Sequence, residues 1–230
     1  MGKYIWCEDS GSGYQFWKEI FSTIDATSTV ESKKNNTELC KAVSRLYDEG
    51  NDYYILMDNA VDNPEVLREM NKLKRDMLNK PNVHLVNIHS FEFALLSFRF
   101  LEQWIFAEND PLREKRSGYL EARERFLKII IDGGTAGELA DLRKLLSIAE
   151  SRNTEQISSR LLYNITRNTG FETTKQSIGK CFLTDCCQWE DRGADDICGL
   201  DSSRLSSEEK KKKLIEYSVI KDALEGAGLL

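Results

Sequence analysis

The chain has 230 residues, enough for one good hydrophobic core or one core with an appended subdomain. Its composition is that of a folded, helix-rich protein: 40% hydrophobic, 10% aromatic, 30% charged, with three prolines and no apolar run approaching a membrane span. A net charge of −6 argues against a sequence-tolerant nucleic-acid coat, whose affinity comes from basic surface, yet leaves room for an enzyme with a local basic channel.

Tyr4-Ile5-Trp6-Cys7 is a short apolar run that reads as a first strand and ends at Glu8. Ser10-Gly11-Ser12-Gly13 follows as a turn, then a helix with Phe16, Trp17, Ile20 and Phe21 on one face. Residues 27–30 are a short β-branched strand. Residues 37–49 carry Leu39, Val43 and Leu46 at helical spacing, with Gly50 just beyond. Tyr53 to Met57 is the next strand and ends at Asp58, with Asp62 close behind. Pro64 fits the first turn of a helix carrying Val66, Leu67, Met70, Leu73 and Met77, and Pro81 ends it. Residues 83–88 form the last strand, followed by His89 and Glu92.

The β-α-β-α-β-α-β alternation predicts an α/β fold: a four-stranded parallel sheet joined by right-handed crossovers and flanked by helices. Beyond residue 93 the pattern turns helical. Helices are expected over residues 93–106, 120–131, 137–151, 155–167 and 208–224, with an irregular Cys-rich loop over 170–205. The expected organisation is an α/β domain over residues 1–100 and a mostly α-helical C-terminal region over 101–230. A helical appendage on the same core is the other possibility.

In a parallel sheet all strand C-termini lie along one edge, where open α/β folds bind ligands. Glu8, Asp58, Asp62, His89 and Glu92 would meet there. Acidic oxygens suit a hard divalent cation such as Mg²⁺ or Mn²⁺. The same residues could equally be solvated loop acids or helix caps, Asp62 for the helix at Pro64. His89 could move a proton near neutral pH, or simply bond to backbone. The amides of Ser10, Gly11, Ser12 and Gly13 could hold a phosphate at a helix N-terminus. That stretch matches neither a P-loop nor a full dinucleotide fingerprint.

Arg113, Lys115, Arg116, Arg123, Arg125 and Lys128 gather in one stretch and could follow a phosphate backbone, or form a solvated face. The run Lys210 to Lys213 reads as surface. The N-terminal segment turns acidic at once and lacks a signal-peptide apolar stretch, so cytoplasmic localisation and no membrane partner are expected. The six cysteines are then reduced thiols or metal ligands. Cys181, Cys186, Cys187 and Cys198 lie within eighteen residues and suit tetrahedral Zn²⁺ in ligand type, although the spacing is not the usual pair of C-x₂-C knuckles.

The segment from Tyr4 to Phe21, with Glu8 ending strand one and a Gly/Ser turn opening an aromatic-rich helix, resembles the start of a TOPRIM domain. Asp58 falls where that family places its Asp-x-Asp, after strand three. His89-Ser90-Phe91-Glu92-Phe93-Ala94-Leu95-Leu96 resembles a motif that follows the last core strand in TOPRIM-like nucleases of bacterial antiviral defence. The resemblance covers about residues 3–98. It implies Mg²⁺-dependent cleavage of DNA or a structured RNA such as tRNA. Glu8 would be base or ligand, Asp58 the firmest ligand, and Asp62 or Glu92 would complete the shell. One departure stands out: the motif here reads Asp58-Asn59-Ala60, without the second aspartate. A degenerate, non-catalytic TOPRIM module bound to a regulatory ATPase therefore stays open. So does a phosphate- or nucleotide-binding domain of flavodoxin-like type.

Overall fold

A computed structural model describes residues 2–48, 50–188, 198–200 and 203–230. Strands β1 (Lys3–Cys7), β2 (Thr29–Ser32), β3 (Asp52–Leu56) and β4 (Val83–Val86) form one all-parallel sheet in the order β2-β1-β3-β4. Helices α1 (Ser12–Ile24), α2 (Asn36–Ser44) and α3 (Pro64–Met77) are the crossovers. This is the α/β arrangement that the sequence pattern predicts.

The two central strands, β1 and β3, read as nearly continuous apolar runs because both faces are covered. Ile5, Cys7, Tyr54 and Leu56 point to one face and pack with Phe16, Trp17, Ile20 and Phe21 of α1. Trp6, Tyr53 and Ile55 point to the other and meet Leu39 and Val43 of α2 and Met70 and Leu73 of α3. Period two in the strands and 3.6 in the helices sort each residue to its side. The helix starts are fixed locally. Asn35 accepts from the Glu38 amide and Asn63 from the Glu65 amide, with Pro64 at the first turn of α3.

Strand order places the site. The chain leaves β1 for β2 in one direction, then returns past β1 to β3 and β4 in the other. The reversal lies between β1 and β3, and folds of this kind bind ligands at the carboxyl ends of those two strands.

Beyond the sheet come α4 (Phe91–Ser97), α5 (Leu101–Ile105), α6 (Pro111–Lys115), α7 (Ser117–Asp132), α8 (Ala136–Leu145), α9 (Thr154–Thr166), α10 (Lys180–Leu183), α11 (Ser207–Glu216) and α12 (Ile220–Gly226). The C-terminal region is helical, as expected. Phe126, Leu161, Ile165 and Leu224 belong to the same buried cluster as Ile5 and Phe16. The helical region thus shares the core on the α1 face of the sheet, and residue 100 falls between two of its helices, α4 and α5.

Several boundaries differ from expectation, for visible reasons. The helix expected over 93–106 breaks after Ser97. Arg123 of α7 donates from Nε to the Leu96 carbonyl (2.6 Å) and from Nη2 to the Phe98 carbonyl (3.0 Å), filling acceptors at the end of α4. The helix expected over 208–224 breaks at 217–219. There Ser218 Oγ donates to the Leu214 carbonyl, and Ser97 Oγ accepts from the Val219 amide. The helix expected over 37–49 ends at Ser44, and Glu49 lies outside the described residues.

Two charged stretches also change role. Arg116 is 3% exposed and donates to the Ile165 and Arg167 carbonyls at the C-terminus of α9, a position that favours a cation. With Arg123 likewise buried, two of the six clustered basic residues clamp helix ends and are turned away from any phosphate path. Lys210, expected on the surface, is 1% exposed and donates to the Thr184 carbonyl. Among the described residues, no helix is long and apolar enough to cross a membrane.

Candidate functional site

Adjacent, in-register strands bring Glu8 and Asp58 together at the switch point. Cys7 pairs with Leu56, and the Glu8 Oε1 accepts from the Asp58 amide just beyond. Asp9, the next residue, turns its Oδ2 to the Trp17 indole N–H at 3.0 Å. That carboxylate lies against the first turn of α1, where a Cβ on Gly13 would sit 2.2 Å from Asp9 Oδ1. Glycine is therefore required there for close approach. Glu92 stands on the first turn of α4, started by Ser90 Oγ accepting from the Phe93 amide. Glu155 stands on the first turn of α9, started by a capping box between Asn153 and Gln156.

These five carboxyl groups form one electrostatic group. Asp58 keeps some surface, but its carboxyl lies deep, and burial holds its pKa well above the usual range. Asp9, Glu8, Glu92 and Glu155 all stand close enough to add to that rise. Burial pushes Glu8 up to about 8, helped by repulsion from Asp9 and Glu155 and opposed by the Asp58 amide. Burial pushes Glu92 up to about 8 and Asp9 to about 6. Glu155 also rises through burial, with Lys175 acting against it. Among the described residues, no ion pair neutralises any of the five.

An all-oxygen, uncompensated donor set suits a hard divalent cation. The carboxylates are gathered without being closed around a point: among the described residues, no three Asp, Glu, His or Cys side chains stand ready as a formed metal site.

Asp62, expected at the metal, is held by other partners, and His89 takes the backbone hydrogen bond that the sequence also allows. Asp62 accepts from Arg143 Nη2 (2.7 Å) and from the amide and hydroxyl of Thr154 (2.9 Å each). It ties the loop after β3 to the start of α9 and so delivers Glu155, the next residue, to the crevice. His89 sits beside the group. Its Nδ1 is 2.6 Å from the Asn59 carbonyl, which can only accept, so that nitrogen carries the proton. Its Nε2 is buried with no partner among the described residues, and burial lowers the ring's pKa, keeping it neutral. The ring packs against Phe93 and Phe126.

In the Ser10–Gly13 turn, one of the four amides faces the protein itself. Ser12 is buried and its amide is directed at the Lys175 carbonyl, 3.4 Å away. Asp9 already supplies an anion at this helix start, which repels a phosphate from the same place.

Sequence reasoning missed Asp9 and Glu155. Asp9 had a signal, since it follows Glu8 at the same strand end. Glu155 had none, because only tertiary packing carries α9 to the sheet edge.

The four clustered cysteines lie elsewhere. Cys181, Cys186, Cys187 and Cys198 all line one cavity of ≈ 630 Å³, with Ala107 to Leu112 on another wall. Burial pushes the Cys181 thiol up to about 11, and the other three thiols are near enough to contribute. The remaining two, Cys7 and Cys40, are buried against the sheet and are raised by the same cause.

Compared with protein-family models, with curated proteins and with solved structures, the chain matches none.

Proposed function

We propose that the chain is a metal-dependent nuclease that hydrolyses phosphodiesters at the carboxyl edge of its sheet. One observation carries this reading. Five carboxyl groups from the ends of β1 and β3 and the first turns of α4 and α9 converge on the topological switch point, and among the described residues none of the five is ion-paired. Burying such groups costs stability, and strongly perturbed titrating groups concentrate at functional sites. The resemblance to TOPRIM nucleases supports the same assignment through Glu8 after the first strand and Asp58 after the third. The second aspartate missing at Ala60 is offset by Asp9 and Glu155, which bring further acidic oxygens to the group.

Glu8 and Asp58 would hold a Mg²⁺ or Mn²⁺, with Glu92, Asp9 and Glu155 around them. Such an ion supplies charge neutralisation at the scissile phosphate and a more acidic water. Glu92, on the first turn of α4, would exchange a proton with the attacking water or the leaving oxygen. Asp62 and His89 keep the loop after β3 in place, the first through Arg143 and Thr154, the second through Asn59. The substrate would be DNA or a structured RNA. A role as a defence effector held by a regulatory ATPase follows from the family resemblance.

The test is cleavage of duplex DNA and of tRNA by purified protein, with Mg²⁺ or Mn²⁺ and with chelator. Cleavage should vanish in Glu8→Gln, in Asp58→Asn and in chelator, while circular dichroism stays native. Undiminished cleavage by both folded variants would overturn the assignment.

A further inference from the structure

We propose that Cys181, Cys186, Cys187 and Cys198 form a structural zinc site, separate from the carboxylate crevice, that fastens the chain between α10 and α11 to the helical core. The four thiols come from three places in the chain: α10, the segment just after it, and the residue preceding Gly199. All four nevertheless line one cavity. Soft thiolates are the donors that zinc prefers, and four of them complete a closed tetrahedral site.

The backbone already brings the ligands near one another. The Cys186 amide donates to the Leu205 carbonyl (3.0 Å), and the Gly199 amide donates to the Trp104 carbonyl (3.1 Å). Gly199 is packed so tightly that a Cβ there would sit 1.7 Å from the Gln103 carbonyl oxygen, so Cys198 is pinned beside α5. Gly170 performs the same service for Cys181, whose Sγ would be 2.3 Å from a Cβ at that position. Among the described residues, no three of the four thiols already stand as a formed metal site, so the ion would have to draw them together, Cys187 from an exposed position.

Charge points the same way. A zinc ion with four thiolates carries a net charge of −2. Lys210 is buried with its ammonium on the wall of this cavity, and Lys180 lines it as well. A buried ammonium needs a negative partner, and the zinc–thiolate centre is one.

The experiment uses the full chain, purified under reducing conditions without chelator. Elemental analysis should find about one zinc per chain. Cobalt exchange should give tetrahedral d–d absorption and a thiolate charge-transfer band. Cys181→Ser combined with Cys198→Ser should lose the zinc and both bands. If that variant fails to fold, Cys187→Ser alone, at the exposed position, should weaken zinc retention against a chelator about tenfold or more. Absence of zinc and of cobalt bands, together with four thiols that alkylate in the native state, would overturn the proposal. So would a disulfide within the four, or full zinc retention in the variants. Nuclease activity is not the readout, so failure here leaves the carboxylate assignment standing.

Discussion

Replacing Glu8 with glutamine tests the electrostatics of the crevice directly. The amide oxygen of the new side chain can still accept from the Asp58 amide, so the substitution removes charge and little else. Glu8 moves from an ordinary value of 4.5 to about 8 on folding. Below pH 4.5 both states hold the proton and no penalty exists. As pH rises toward 8 the unfolded chain releases its proton while the folded chain keeps it, so folding stability falls across that window. The rise, at about 1.4 kcal/mol per unit, sets a ceiling of about 5 kcal/mol. The proton is shared with neighbouring acids that can take it up instead, so about 2 kcal/mol is expected from this one position. For a chain of this length that is a melting temperature about 4–8 °C higher than wild type near pH 8. Near pH 4, where Glu8 is largely protonated in both states, the two proteins should melt together. Thermal unfolding in chelator at both pH values is the assay. An equal difference at the two pH values, or a variant less stable near pH 8, would refute the electrostatic reasoning.

Asp62→Ala should cost about 3 kcal/mol in chemical denaturation, because it strands Arg143 and the Thr154 amide in a largely buried setting. Arg143→Ala should cost nearly as much and the double variant less than their sum; full additivity would show that the pair is uncoupled. Gly13→Ala should lower stability by about 1–3 kcal/mol, since its Cβ meets the Asp9 carboxylate, and unchanged stability would contradict that contact. Phe126→Ala should cost about 3–5 kcal/mol and lower one shared transition, because α7 packs into the same core as the sheet. Two separate transitions, with the sheet unaffected, would show independent domains.

The sheet was legible because its signals are local. Tyr53 to Met57 is an apolar run bounded by turn chemistry, and Pro64 marks a helix start that the structure reproduces, capped by Asn63 and not by Asp62. Placing Glu8 and Asp58 on one edge followed from parallel pairing alone. Asp62 was misjudged because its spacing after Asp58 says nothing of Arg143, eighty-one residues away. The breaks in the helices at 98–100 and 217–219 were invisible for a similar reason. They depend on Arg123 and Ser97 reaching in from other elements, and apolar periodicity runs straight through both. Lys210 shows the limit of reading charge runs as surface: in Glu208-Glu209-Lys210-Lys211-Lys212-Lys213 one lysine of four turns inward, and nothing in the run marks which.

The central claim is that the carboxylates at the switch point bind a divalent cation. Anomalous scattering from a manganese-soaked crystal tests it most directly. The predicted result is a manganese peak bridging the Glu8 and Asp58 carboxylates, lost in a crystal of the Asp58→Asn protein. A crystal with no peak there, or with manganese bound only at other surface acids, would contradict the account.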